Sequence, residues 1–187
     1  MARPMKPSIY EVGLDKNEAN HQPLSPLPFL ERAASVFPDR IAVVHGNTKL
    51  TYAQFYRRCR QFASVLAARG IGRGDTVSVM LANTPPMLEA HYAVPMCGAV
   101  LHAINTRLDA SVIAFQLEHG ESKVLITDTA FSSTIDVALE KTKAEPFVID
   151  YSDPVFPQAG ERLGSDDYEA LVESGDPDFA WLMPNDE

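Results

Sequence analysis

The chain has 187 residues, with 16 Lys+Arg against 25 Asp+Glu and a formal net charge of −9 at pH 7. That length suits one ordinary domain, and 45% hydrophobic with 22% charged residues excludes a disordered chain. The acidic balance argues against a nucleic-acid partner, because phosphate contacts need clustered cations; the densest cluster, Arg57, Arg58 and Arg60, reads as the solvated face of one helix.

The first 25 residues alternate polar, Pro and Gly residues and read as an extended arm. Phe29, Leu30, Ala33, Ala34 and Phe37 then recur at helical spacing, and Pro38 stops the helix by disfavouring the α conformation before it. Ile41–Val44 and Lys49–Thr51 flank the polar turn His45-Gly-Asn-Thr48, which predicts a β-hairpin. Thr51 and Gln54 form a T-x-x-Q capping box that opens a long helix. Phe55, Cys59, Phe62, Ala63 and Leu66 line its apolar stripe, and Gly70 is placed to end it in the left-handed conformation.

Beyond Gly70 the pattern alternates. Strands are expected at 76–81, 99–103, 123–127 and 147–150. Helices are expected from Thr84-Pro85 to Cys97, from Asp109 to His119 and from Ser132 to Lys141. This alternation predicts βαβ crossovers, hence an α/β fold with a mostly parallel sheet flanked by helices on both faces. From Tyr151 onward the composition turns acidic and rich in Pro and Gly, with one short helix around Asp167–Val172.

Cys59 and Cys97 lie far apart with no patterned His near either, so they read as reduced core residues rather than zinc ligands. The longest apolar run, about 12 residues from Ala93, is interrupted by Pro95 and His102 and is too short to span a membrane. No secretory h-region follows the basic start, so a cytoplasmic protein is expected.

Gly70-Ile-Gly-Arg-Gly74 invites a phosphate-loop reading, but such a loop must leave a strand and open a helix, and here the order is reversed. No G-x-x-x-x-G-K-[ST], H-E-x-x-H or G-x-S-x-G occurs. His91 and His102 lie in or beside apolar elements and read as structural; neither comes with a nucleophile at a readable spacing. The loop Ile104-Asn-Thr-Arg-Leu108 follows a strand and precedes an Asp-capped helix, where open α/β sheets place ligand contacts. Arg107 can hold an anion there, or serve as a surface charge beside a turn-forming Asn105.

Taken in order, several segments resemble the N-terminal part of AMP-forming acyl-CoA synthetases of the adenylate-forming superfamily. They are Phe29-Leu-Glu-Arg-Ala-Ala, Pro38-Asp-Arg-Ile-Ala-Val-Val, Leu50-Thr-Tyr, the stretch from Leu66 to Val77, Asn83-Thr-Pro, Cys97-Gly-Ala-Val, Ile104-Asn-Thr-Arg-Leu and Ser122-Lys-Val-Leu-Ile-Thr. Pro23-Leu-Ser-Pro-Leu-Pro-Phe-Leu looks most like plant acyl-activating enzymes and bacterial medium-chain, aryl or methylthiopropionate CoA ligases.

The resemblance implies an incomplete N-terminal subdomain of the adenylate-forming fold, divided into an arm at 1–25, an α/β body at 26–150 and a connector at 151–187. It implies a ligase that joins a carboxylic acid to CoA through an acyl-adenylate, using ATP and Mg2+. The phosphate loop, the acyl pocket and the catalytic lysine of this family all follow the segment where this sequence stops. The expected role is therefore scaffold, inactive alone, holding no cofactor tightly and partnered by the remainder of the ligase chain, or by a second copy in a homodimer. Asn105, Thr106 and Arg107 correspond to a CoA-proximal loop, with Thr106 where the family usually has Pro. The other reading is a stand-alone α/β binding or interaction module derived from the fold.

Overall fold

A computed structural model describes residues 12, 13, 15, 17 and 19–184; residues 1–11, 14, 16 and 18 of the expected arm, and residues 185–187, lie outside that set. Helix α1 (Leu27–Val36) starts where the Ser25 hydroxyl accepts the Leu27 N–H at 3.3 Å, with Pro28 in the first turn, where a missing donor costs nothing. It buries Leu27 and Leu30 and ends before Pro38, as expected.

Strands β1 (Ile41–His45) and β2 (Thr48–Thr51) pair antiparallel, with His45 opposite Thr48. The connecting loop is therefore only Gly46-Asn47, shorter than the four-residue turn expected, and His45 belongs to a strand. Gly46 sits at φ +55° with Val155 packed over it, so a side chain there would meet both strain and a clash.

Helix α2 (Tyr52–Ala68) opens with the expected capping box: the Gln54 N–H donates to Thr51 Oγ1 at 3.2 Å and the Thr51 N–H to Gln54 Oε1 at 2.9 Å. The whole expected stripe from Phe55 to Leu66 is buried, and Gly70 takes φ +78° just past the helix end.

Strands β3 (Thr76–Met80), β4 (Val100–Ala103), β5 (Ser122–Asp128), β6 (Phe147–Tyr151) and β7 (Asp166–Asp167) form one sheet in the order β4-β3-β5-β6-β7, with every pair parallel. Helices α3 (Pro85–Met96), α4 (Ala110–His119) and α5 (Ser132–Lys141) connect successive strands, and α6 (Tyr168–Ser174) follows β7. The two-residue strand β7 carries no periodicity and is invisible in the sequence.

Alternate residues of each strand go to opposite faces. Val77, Val79, Val124, Ile126 and Ile149 join the side chains of α1, α2, α3 and α6 in one core. Met80 and Leu125 pack with Ile113 and Leu117 of α4 and Ile135 of α5 in the other. The sheet is thus covered on both faces, and its central strands can be apolar throughout.

Candidate functional site

All five sheet strands run the same way, so their carboxyl ends form one edge of the molecule. From β3 the chain passes to β4 on one side; from β5 it passes to β6 on the other. The exits of β3 and β5 therefore diverge, and the crevice between them is where an open α/β sheet offers loop backbone and side chains to a ligand. Asn83 and Thr84 leave β3 there, and Asp128 leaves β5.

The Asn105–Arg107 loop lies on the same edge, at the exit of the outer strand β4. Asn105 Oδ1 accepts the Arg107 N–H at 2.9 Å, and the Leu108 N–H donates to Asn105 O at 3.3 Å, so Asn105 shapes the turn itself. Arg107 is exposed and, among the described residues, makes no ion pair or hydrogen bond through its guanidinium, while Asp109 caps α4 through the N–H groups of Ser111 and Val112. The loop thus presents a cation without a partner among the described residues, on a backbone fixed at both ends.

Asp153, 108 residues away in sequence, comes to His45: its carboxylate oxygens lie 2.9 and 3.0 Å from Nε2, and it also accepts the Val155 N–H. Burial pushes this carboxyl up, but the His45 and backbone hydrogen bonds outweigh it and hold Asp153 below the ordinary carboxylate range. Nearby, burial raises the Asp128 carboxyl, opposed by the Ala130 N–H it accepts and reinforced by the charge of Asp153.

Because Asp153 is held below its unfolded value of 3.8, its contribution is present above that pH and is lost as pH falls through the folded value. Asp153→Asn is expected to cost about 1–2 kcal/mol at pH 7, the pair being mostly shielded from water. Urea unfolding at neutral pH and at about pH 3 should show that difference shrinking in acid. A difference unchanged by pH would dissociate it from the ionised Asp153 carboxylate.

The helix face expected to be solvated is only partly so. Arg57 is exposed, but Arg58 is half-buried: it binds both oxygens of the fully buried Glu89 on α3 and both oxygens of Glu169 on α6. The Tyr168 hydroxyl donates to Glu89 at 2.8 Å and completes the cluster. Burial disfavours the Arg58 cation, yet the two carboxylates reverse this and hold it above its ordinary value. Burial and the neighbouring charges of Glu89 and Asp167 leave Glu169 raised despite Arg58. Arg60 is likewise engaged, donating to Phe179 O at 3.0 Å. These partners lie 31 to 119 residues away, and no local pattern signals them.

His102 is structural: its Nδ1 meets Ser78 Oγ at 2.8 Å, and Ser78 Oγ meets Ser122 Oγ at 2.6 Å inside the sheet. Burial holds this imidazole below its ordinary value, hence neutral. Both cysteines are free; Cys59 is buried and Cys97 only partly so. Among the described residues no group of His, Cys, Asp or Glu could hold a metal ion, and no helix is long and apolar enough to cross a membrane.

Two candidate phosphate-binding backbones among the described residues lack the geometry for it. Gly70–Gly74 runs from α2 into β3, so its N–H groups are not those of a helix N-terminus. Helix α3, which does leave a strand, begins Pro85-Pro86 and lacks two of its free donors.

Residues 30–184 match the model of the AMP-binding enzyme family, and the chain belongs to that family. An acetate–CoA ligase of Humulus lupulus is 44% identical over 186 residues, which take in 93% of this chain and 33% of that protein. A peroxisomal acetate/butyrate–CoA ligase of Arabidopsis thaliana is 42% identical over 185 residues, or 93% of this chain and 32% of that protein. The chain thus spans about a third of the length of these relatives.

Among solved structures, an anthranilate CoA ligase in complex with anthranoyl-AMP superposes with a TM-score of 0.76 at 16% identity, over 85% of this chain and 30% of that one, a likeness of fold. A fatty acyl CoA synthetase of Mycobacterium tuberculosis superposes with a TM-score of 0.65 at 30% identity, over 81% of this chain and 28% of that one.

Proposed function

We propose that this chain is the N-terminal segment of an AMP-forming acyl-CoA ligase, converting a carboxylic acid, ATP and CoA to acyl-CoA, AMP and pyrophosphate through an acyl-adenylate. The observation that carries this reading is the 44% identity to an acetate–CoA ligase, sustained over nearly the whole chain while covering a third of that relative. In this reading ATP and Mg2+ are held by the remainder of the ligase, and residues 1–187 are scaffold. The three-part division into arm, body and acidic connector belongs to the same reading.

The Asn105–Arg107 loop is the part assigned a ligand: the free Arg107 guanidinium meets a phosphate of the CoA nucleotide, with Asn105 and Thr106 shaping the approach. The two free cysteines suit a reducing compartment such as the cytoplasm. The exposed edge of β4, with Val100 beside it, suits a partner strand or a second copy.

The test is ATP–pyrophosphate exchange with acetate. The isolated chain is expected to show none, and adding a soluble complementing segment from the acetate–CoA ligase relative is expected to restore it. A complement that docks without restoring exchange would sink the ligase reading. In the restored enzyme, Arg107→Ala is expected to raise KM for CoA by about tenfold and leave KM for ATP unchanged, the loss of one charge-assisted phosphate contact.

A further inference from the structure

Between the β1–β2 hairpin and helix α3 lies a groove of about 520 Å³, within the size range of small-molecule sites. Val43 and Val44 form its hairpin wall, and Leu88 and Tyr92 form its helix wall. Val44 and Leu88 remain 63% and 40% exposed, so apolar area stays in water at a cost that an apolar ligand body would relieve.

The polar groups of the lining are mostly acceptors, because their hydrogens are already given away. A carboxylate and a carbonyl only accept hydrogen bonds, so the proton positions of two imidazoles follow from their partners. His45, on the hairpin wall, donates Nε2–H to Asp153 and keeps a lone pair on Nδ1. His91, on the helix wall, donates Nδ1–H to Met87 O at 2.8 Å and keeps a lone pair on Nε2. Neither lone pair has a partner among the described residues. The buried Thr84 hydroxyl donates to Ala82 O at 3.3 Å, so its oxygen too is left to accept. Pro85, in the first turn of α3, has no N–H to offer.

The lining contains no Lys or Arg, and the Asp153 carboxylate behind His45 polarises that ring and makes Nδ1 a stronger acceptor. A carboxylate or phosphate would therefore meet lone pairs rather than donors. A primary ammonium group brings three donors and no acceptor, and its hydrogen bonds are roughly twice as strong as those of a neutral donor. The net charge of −9 on the chain favours its approach.

We infer that this groove binds a small amphiphilic cation, an apolar body carrying one primary ammonium group, independently of the ligase reading. The probe is benzylamine, titrated into the 187-residue chain at about pH 8, where an ordinary imidazole is neutral and an alkylammonium is charged. ATP and CoA are left out, EDTA keeps metal ions off the imidazoles, and the C2 protons of His21, His45, His91, His102 and His119 are followed by NMR. The His45 and His91 signals are expected to shift together and saturate at about millimolar benzylamine, as suits a fragment-sized ligand.

Leu88→Trp fills the groove from a partly exposed position and is expected to weaken binding about tenfold without lowering the thermal midpoint. His91→Phe keeps a ring at an exposed position but removes the acceptor, and is expected to weaken binding about tenfold as read on His45. Benzyl alcohol, of the same body without the charge, is expected to bind about tenfold more weakly, and benzoate not to saturate. Unsaturating shifts spread over all five histidines, or unchanged binding in a folded Leu88→Trp variant, would overturn the site. Benzyl alcohol or benzoate binding as tightly as benzylamine, or unchanged binding in His91→Phe, would overturn the ammonium. ATP–pyrophosphate exchange plays no part in this readout, so failure here leaves the ligase reading untouched, and the reverse holds too.

Discussion

Arg58→Ala is expected to lower the unfolding free energy by about 3–5 kcal/mol, the range for stripping the partner from a buried charge. Glu89 is 0% exposed and, among the described residues, takes its countercharge from Arg58, with the neutral Tyr168 hydroxyl also bonded to it. Without the guanidinium the buried carboxylate is left without its countercharge. The cluster also ties three helices together, since Arg58 is on α2, Glu89 on α3 and Glu169 on α6.

Urea unfolding at neutral pH measures the loss, and for a chain of this size it corresponds to roughly a 10 °C fall in Tm. A loss below about 1 kcal/mol would mean that water reaches Glu89 when Arg58 is removed. Glu169→Gln provides the contrast. Its side chain is 46% exposed, so its loss is expected to stay within about 1 kcal/mol.

Phe62→Ala is the second large expectation, at about 3–5 kcal/mol. Phe62 has no exposed surface and sits in the middle of the α2 stripe, where its ring centroid lies 4.7 Å from that of Tyr168. Tyr168 is itself fully buried and meets Tyr151 edge-on at 6.2 Å, so truncating Phe62 opens a cavity among rigid rings that cannot collapse into it. The measurement is the urea midpoint at constant m, with Phe29→Ala as control. Phe29 is 72% exposed on α1, and its replacement is expected to stay within about 0.5 kcal/mol. A similar loss at both positions would contradict the assignment of the core to α2.

Local signals were legible wherever a residue's structural partner lies within a few positions. Thr51 and Gln54 cap α2 across three residues, Asp109 caps α4 across two or three, and Gly70 turns the chain just past the end of α2. The same locality made the alternating elements, and hence the parallel sheet, readable in order. His45 shows where this stopped: in sequence it belongs to a polar turn, yet it ends a strand because Asp153 and Val155 come down on the hairpin.

What the sequence by itself determined is therefore the set of elements, their caps and the resemblance that placed the chain among the AMP-binding enzymes. What only the tertiary structure decided is the pairing of Arg58 with Glu89 and Glu169 and the docking of Asp153 on His45. Hydrophobic periodicity is a property of neighbours along the chain and repeats within every element. The partner of a buried charge is chosen once, by which elements pack together, and no period encodes that choice.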